Sequence, residues 1–180
     1  MKVEQVYQKL LNQVVTQIRR SLDLTTIYQQ TVNNTGITFA TSRCLILTNQ
    51  GKIAQLSVAA EYCQDEYEST TKHKINWQQE VHLQQALESS YPLAVDFMSE
   101  DPLQRKSVLI VSTKHGKSDG VLICLQQCDR YRHWTTAEME MLKEIAEQVE
   151  AAASLARLCH EVEQASIQAE EANRLKSDFL

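Results

Sequence analysis

The chain has 180 residues, 43 % of them hydrophobic and 23 % charged, with a net charge of −5. That length holds one domain plus an extension, and the balance is ordinary for a globular protein. The charge has no basic block, which argues against a nucleic-acid partner, and no apolar run approaches the roughly 20 residues of a membrane span.

The N-terminus, MKVEQVYQKLLNQ, is amphipathic and lacks the layout of a secretory signal, so the expected location is the cytoplasm. Val3, Val6, Tyr7, Leu10, Leu11, Val14 and Ile18 recur at helical steps, which predicts a first helix ending near Arg20. Asp23 is a good N-cap for a second helix, with Leu22 stapled onto Ile27. This helix should run to about Asn34 and end at Gly36. RCLILT at 43–48 and KIAQLSVA at 52–59 read as a hairpin turned at Asn49, Gln50 and Gly51. Residues 61–75 read as a polar, irregular loop. Asn76 caps an expected helix over 77–88, and Tyr91-Pro92 stops it. LAVDF at 93–97 predicts an edge strand, and SVLIVS at 107–112 and GVLICL at 120–125 predict two central strands. Thr135 and Glu138 form a capping box, with Trp134 placed to staple onto Met139, and this opens a run without Gly or Pro that continues to the end. A helix of that length reaches roughly 70 Å at about 1.5 Å per residue, too long to stay on the domain.

RCLIL, SVLIV and GVLICL do not alternate apolar with polar, although hairpin-joined strands usually do. Both faces of the sheet should therefore be covered. The N-terminal helices and the start of the last helix fall to one face. The loop at 61–75, the helix at 77–88 and the loop at 98–106 fall to the other, where a small-molecule cavity can form.

The order of these elements is similar to that of the GAF domain, a sensory module. The most specific passage is SVLIVSTKHGKSDGVLICLQQCDRYRHWTTAEMEMLKEIAEQVEAA, in which a strand pair carrying Gly-Val-Leu leads to a Trp and a capped helix. RRSLDL followed by TSRCLIL resembles the entry to the same domain, and NRLKSDFL resembles the approach to the phosphoacceptor helix of sensor histidine kinases. The resemblance implies an α+β fold with an antiparallel sheet of five to six strands, helices on one face, and loops with a short helix on the other. It divides the chain into an N-terminal helix (1–20), a GAF-like domain (21–155) and a signalling helix (156–180). It further implies the input half of a kinase whose catalytic part lies beyond these residues, with a downstream kinase domain and a response regulator as partners. No enzymatic activity is expected of the fragment itself, since no nucleophile–base–orienter set or phosphate-cradling glycine pattern is present.

Five cysteines at wide spacing argue against a disulfide framework, and Cys44 and Cys124 lie in apolar runs as core residues. Cys124 and Cys128 would stand about 13 Å apart along a strand, too far to share a zinc, so no metal is expected. Bilin-binding relatives carry a Cys-His pair on the roofing segment; here the one such pair is Cys159-His160, on the exit helix. Cys63 is then the candidate for a covalent ligand, against the plainer reading of a solvated loop thiol. No cyclic-nucleotide motif is found. His73, His82 and His115 are candidates to face a ligand, or are surface histidines. Trp77 either stacks on a planar ligand or anchors its helix in the core. The cofactor is left open, and the alternatives to a ligand relay are a bilin-type photosensor and a ligand-free structural dimerisation module.

Leu142, Ile145, Val149 and Ala152 form one apolar series of the last helix; Leu155, Leu158, Val162, Ala165, Ala169, Ala172 and Phe179 form a second. The two break phase near residues 152–155. The first packs on the domain; the second is expected to pair with a sister chain as a parallel coiled coil, giving a homodimer through the terminal helices.

Overall fold

The computed structural model describes residues 5–6, 8–13, 23–50, 55–113 and 121–179. Residues 8–13 are helical, and Leu10 is fully buried against the domain. Helix α1 (Leu24–Thr38) starts where Asp23 accepts a hydrogen bond from the Thr25 N–H. It runs past the expected stop at Gly36. A Cβ on Gly36 would lie 2.1 Å from Cδ1 of Tyr62, so this glycine admits a neighbouring ring and does not end the helix. Termination falls instead to Ala40, whose φ of 51° is left-handed. The Thr41 N–H returns to Gly36 O and the Ala40 N–H to Ile37 O, closing a Schellman motif.

The described strands form one antiparallel sheet in the order β2-β1-β5-β4-β3. They are β1 (Arg43–Gln50), β2 (Gln55–Cys63), β3 (Leu93–Asp96), β4 (Ser107–Ser112) and β5 (Val121–Gln127). β2 continues to Cys63, so residues 61–63 belong to the strand and not to the expected loop. β5 likewise outruns its predicted end by two residues, because Gln126 and Gln127 keep pairing with Arg43 and Ser107.

Neighbouring residues along each central strand serve opposite layers. Cys44, Ile46, Leu109, Ile123 and Leu125 pack with Ile27, Val32, Leu142, Ile145 and Val149 beneath the helices. Leu45, Leu47, Val108, Ile110 and Leu122 pack with Trp77, Leu83, Ala86 and Leu103 on the other face. This explains the missing alternation: every side chain of β4 and β5 is buried, whichever way it points. At about 1.5–3 kcal/mol per buried aliphatic side chain, the two layers supply the main driving force for folding.

The roof differs in detail from the reading at 77–88. Residues Trp77–Gln79 form a 3-10 turn, and helix α2 (Val81–Glu88) begins four residues late. Asn76 makes no capping bond. The Glu80 carboxylate at the N-cap of α2 does not cap either, because it is engaged elsewhere. Helix α3 (Thr136–Asp178) opens on the predicted capping box, Thr135 and Glu138 satisfying each other's backbone N–H. Its 43 residues span about 65 Å. Ala156 is its last buried residue; the second apolar series stands in solvent, with Leu158 56 % and Val162 62 % exposed. Among the described residues, no helix is long and apolar enough to cross a membrane.

Candidate functional site

The roof leaves a cleft of about 690 Å³ between the segment at 73–82 and the loop at 97–105. Arg105, two residues before β4 begins, organises it. Gln104 has a φ of 59°, and its N–H bonds Asp101 O, which folds the loop so that Asp101 caps the Arg105 N–H at 2.9 Å. The same carboxylate accepts from Arg105 Nε at 2.9 Å and Nη2 at 2.8 Å. From the opposite wall, Glu80 takes Nη1 and Nη2 in a bidentate pair at 3.0 Å each. The guanidinium lies over the Phe97 ring at 4.1 Å. His82 Nε2 meets Glu80 Oε2 at 2.7 Å, and its ring stands edge-on to Phe97. One buried cation therefore clasps two roof segments together.

The clasp sets the local electrostatics. Burial alone would raise the Glu80 carboxyl; hydrogen bonds from His82 and Arg105 and their charge outweigh it and bring the pKa to about 2. The Asp101 carboxyl is held below its ordinary range by Arg105 in the same way, against burial. Both acids are ionised at neutral pH.

A second buried arginine stitches the roof to the sheet. Arg43 is 1 % exposed and donates to Glu68 O and Leu103 O at 2.9 Å and to Gln126 Oε1 at 3.2 Å. Its partners are neutral, and they come from both roof loops and β5.

The sequence candidates separate. His82 and His73 line the cleft. Trp77 is 8 % exposed within the roof cluster and is a core residue in this structure. Cys63 lies away from the cleft in a shallow groove with Tyr62, Gln64, Asp65 and Glu66. Its thiol donates to Tyr67 O at 3.3 Å, and burial pushes its pKa up, with Arg43 opposing; it is a thiol at neutral pH. His115 lies outside the described residues. Cys44 and Cys124 are buried as expected, and no cluster of His, Cys, Asp or Glu fit for a metal occurs among the described residues. Arg105, Glu80, Asp101 and Phe97 were missed. Asp101 and Arg105 at i, i+4 were a visible charge pair, but Glu80 stands 25 residues away and nothing local signals it.

An antiparallel sheet with fully buried central strands, helices beneath, a looped roof above and a rod leaving the domain define a module of the α+β class. The chain belongs to the GAF domain family, whose model matches residues 23–153. No curated protein matches it. Among solved structures it is similar to the GAF domain of a putative sensor histidine kinase from Pseudomonas syringae pv. tomato, at 12 % identity and a TM-score of 0.66 over 89 % of this chain and 95 % of that one. It is also similar to the phycocyanobilin-bound GAF domain of a cyanobacterial phytochrome, at 17 % identity and 0.70 over 86 % and 97 %. A third is the free methionine-R-sulfoxide reductase from Neisseria meningitidis in complex with its substrate, at 13 % and 0.69 over 85 % and 91 %. At these identities the likeness is one of fold.

Proposed function

We propose that the chain is the cytoplasmic input domain of a signal-transducing histidine kinase, passing a ligand or partner signal through a paired exit helix to a phosphorelay. The observation that carries this is the rod. Beyond Ala156 helix α3 has no domain left to cover, yet Leu155, Leu158, Val162, Ala165, Ala169, Ala172 and Phe179 keep a 3,4-spaced stripe in solvent. A second copy of the chain buries it. Of the residues that flank the stripe, Ser154, Cys159, Ser166, Gln168 and Asn173 are neutral and Glu161 alone is acidic, so two copies of an acidic chain meet there with limited repulsion. Coupling follows from the continuity of one helix, whose first half packs under the sheet and whose second half forms the seam.

Sedimentation equilibrium tests this. The full chain is expected to be a dimer that dissociates as it is diluted, and the chain ending at Ala156 a monomer. A monomeric full chain at high concentration counts against the reading. The bilin reading is not favoured, because Cys63 does not border the roof cleft.

A further inference from the structure

Helix α3 uses different sides in its two halves. Leu142, Ile145, Val149 and Ala152 lie in the core beneath the sheet, and Ala153 and Ala156 are buried with them. Leu155, Leu158 and Val162 stand between 53 % and 62 % exposed. At about 100° per residue, the centre of the exposed stripe falls roughly 150° round the helix from the centre of the buried face. The rod therefore presents its stripe on the side turned away from its own sheet.

Followed back towards the domain in three- and four-residue steps, that side carries Ala151, Glu147, Glu144, Glu140 and Ala137. All five are exposed, and the middle three are acids. The acids elsewhere on the same segment are paired. Glu138 meets Arg132 at 2.6 Å. Glu150 is 4 % exposed, meets Arg157 at 3.2 Å and accepts from Thr113 Oγ1 at 3.0 Å. Among the described residues no cation stands within ion-pair distance of Glu140, Glu144 or Glu147. Lys143, the one Lys or Arg between Thr135 and Ala156, lies over the Tyr91 ring at 5.8 Å. Two parallel copies would set six carboxylates, three from each, against one another along this stretch. Packed helices lie about 8–10 Å apart, within about one Debye length at 0.1 M salt, so the repulsion survives physiological screening.

We propose that the paired helices close only from Ala151 onward, and that Glu140, Glu144 and Glu147 hold the two domains apart as the arms of a fork. This rests on reading α3 as one of a parallel pair. Charge then sets the length of the seam. Screening or neutralising the acidic side lets the arms draw together, and the same continuous helix carries that change into the rod. The two states differ in how far the seam extends, not in the fold of either domain.

The test is pulsed electron–electron resonance on the full chain, spin-labelled at Ala137→Cys or at Asn173→Cys in a Cys63→Ser, Cys159→Ser background, where the native cysteines that remain are buried. The two sites are 36 residues apart, about ten turns, so their labels share one bearing on the helix. The arm from Ala151 to Ala137 is about 21 Å long at about 1.5 Å per residue, and an opening of about 40° adds roughly 15 Å between labels at its tips. At low salt the distance at 137 is expected to exceed that at 173 by about this amount. Glu140→Gln, Glu144→Gln and Glu147→Gln together, or salt raised to about 1 M, should bring the two distances within a few ångströms of each other. The three acids are exposed, so the melting temperature should not fall. Equal distances at low salt overturn the proposal, as does a longer distance at 137 that neither salt nor the triple variant shortens. Either result leaves the pairing in place. No dipolar signal at 173 removes the pairing itself, and the fork with it.

Discussion

Replacing Glu80 with Gln removes one arm of the Arg105 clasp at nearly constant volume. The carboxyl's displacement from its ordinary 4.5 to about 2 is worth roughly 3 kcal/mol. That is a ceiling. The side chain is 17 % exposed, and Gln retains one oxygen to accept from Arg105. The expected loss at pH 7 is about 2–3 kcal/mol, below the roughly 3–5 kcal/mol for breaking a fully buried ion pair. The pH dependence has a definite sign. The folded pKa lies below the unfolded one, so the stabilisation is complete above pH 4.5 and is lost as pH falls towards 2. Asp101 is also lowered, but it is present in both proteins and largely cancels in the difference. Urea unfolding followed by circular dichroism at pH 7, 5 and 2.5 reads this directly. The gap between wild type and Glu80→Gln should be full at pH 7 and 5 and shrink markedly at pH 2.5. Equal midpoints at pH 7, or a gap undiminished at pH 2.5, would refute the clasp as the source of the shift.

Ala40→Gly should stabilise the protein by about 0.5–1 kcal/mol, because a left-handed Ala costs roughly 1–2 kcal/mol and the greater freedom of unfolded Gly offsets part of the gain; a melting temperature raised by about 2 °C would show it, and a fall would contradict the Schellman ending. Gly36→Ala should cost about 1–3 kcal/mol in urea unfolding, since the new methyl group meets the Tyr62 ring. In open helix the same change would gain about 1 kcal/mol, so the sign alone decides. Thr135→Ala removes the acceptor for the Glu138 N–H and should cost about 1 kcal/mol, with amide exchange accelerated in the first turn of α3 while the sheet stays protected; an unchanged first turn would speak against the capping box.

The elements best read from the sequence are those whose signals are local. The capping box at Thr135 needs only residues three apart, and β4 is bounded by turn chemistry on one side and polar residues on the other. The continuous apolar runs correctly implied a sheet covered on both faces, because that inference concerns solvent and not partners. Gly36 misled because a glycine that admits a distant ring and one that ends a helix look alike; the ring belongs to Tyr62, 26 residues on. The roof helix was drawn too long for a related reason. Asn76 has the right chemistry to cap, but Glu80, at the N-cap position, is drawn across the cleft to Arg105. In the site, His82 was legible as a polar residue of the roof. Its neighbours Arg105, Asp101 and Phe97 come from another loop, and only the fold brings them together.

The central claim is that α3 beyond Ala156 is one strand of a parallel pair. The direct measurement is oxidative cross-linking of introduced cysteines in a Cys63→Ser, Cys159→Ser background, where the native cysteines that remain are buried, with Val162→Cys and Ala169→Cys on the expected seam and His160→Cys and Arg174→Cys opposite it. The pairing predicts fast same-position dimers at 162 and 169 and slow ones at 160 and 174. Equal rates at all four positions, or no cross-linking at any, would contradict it.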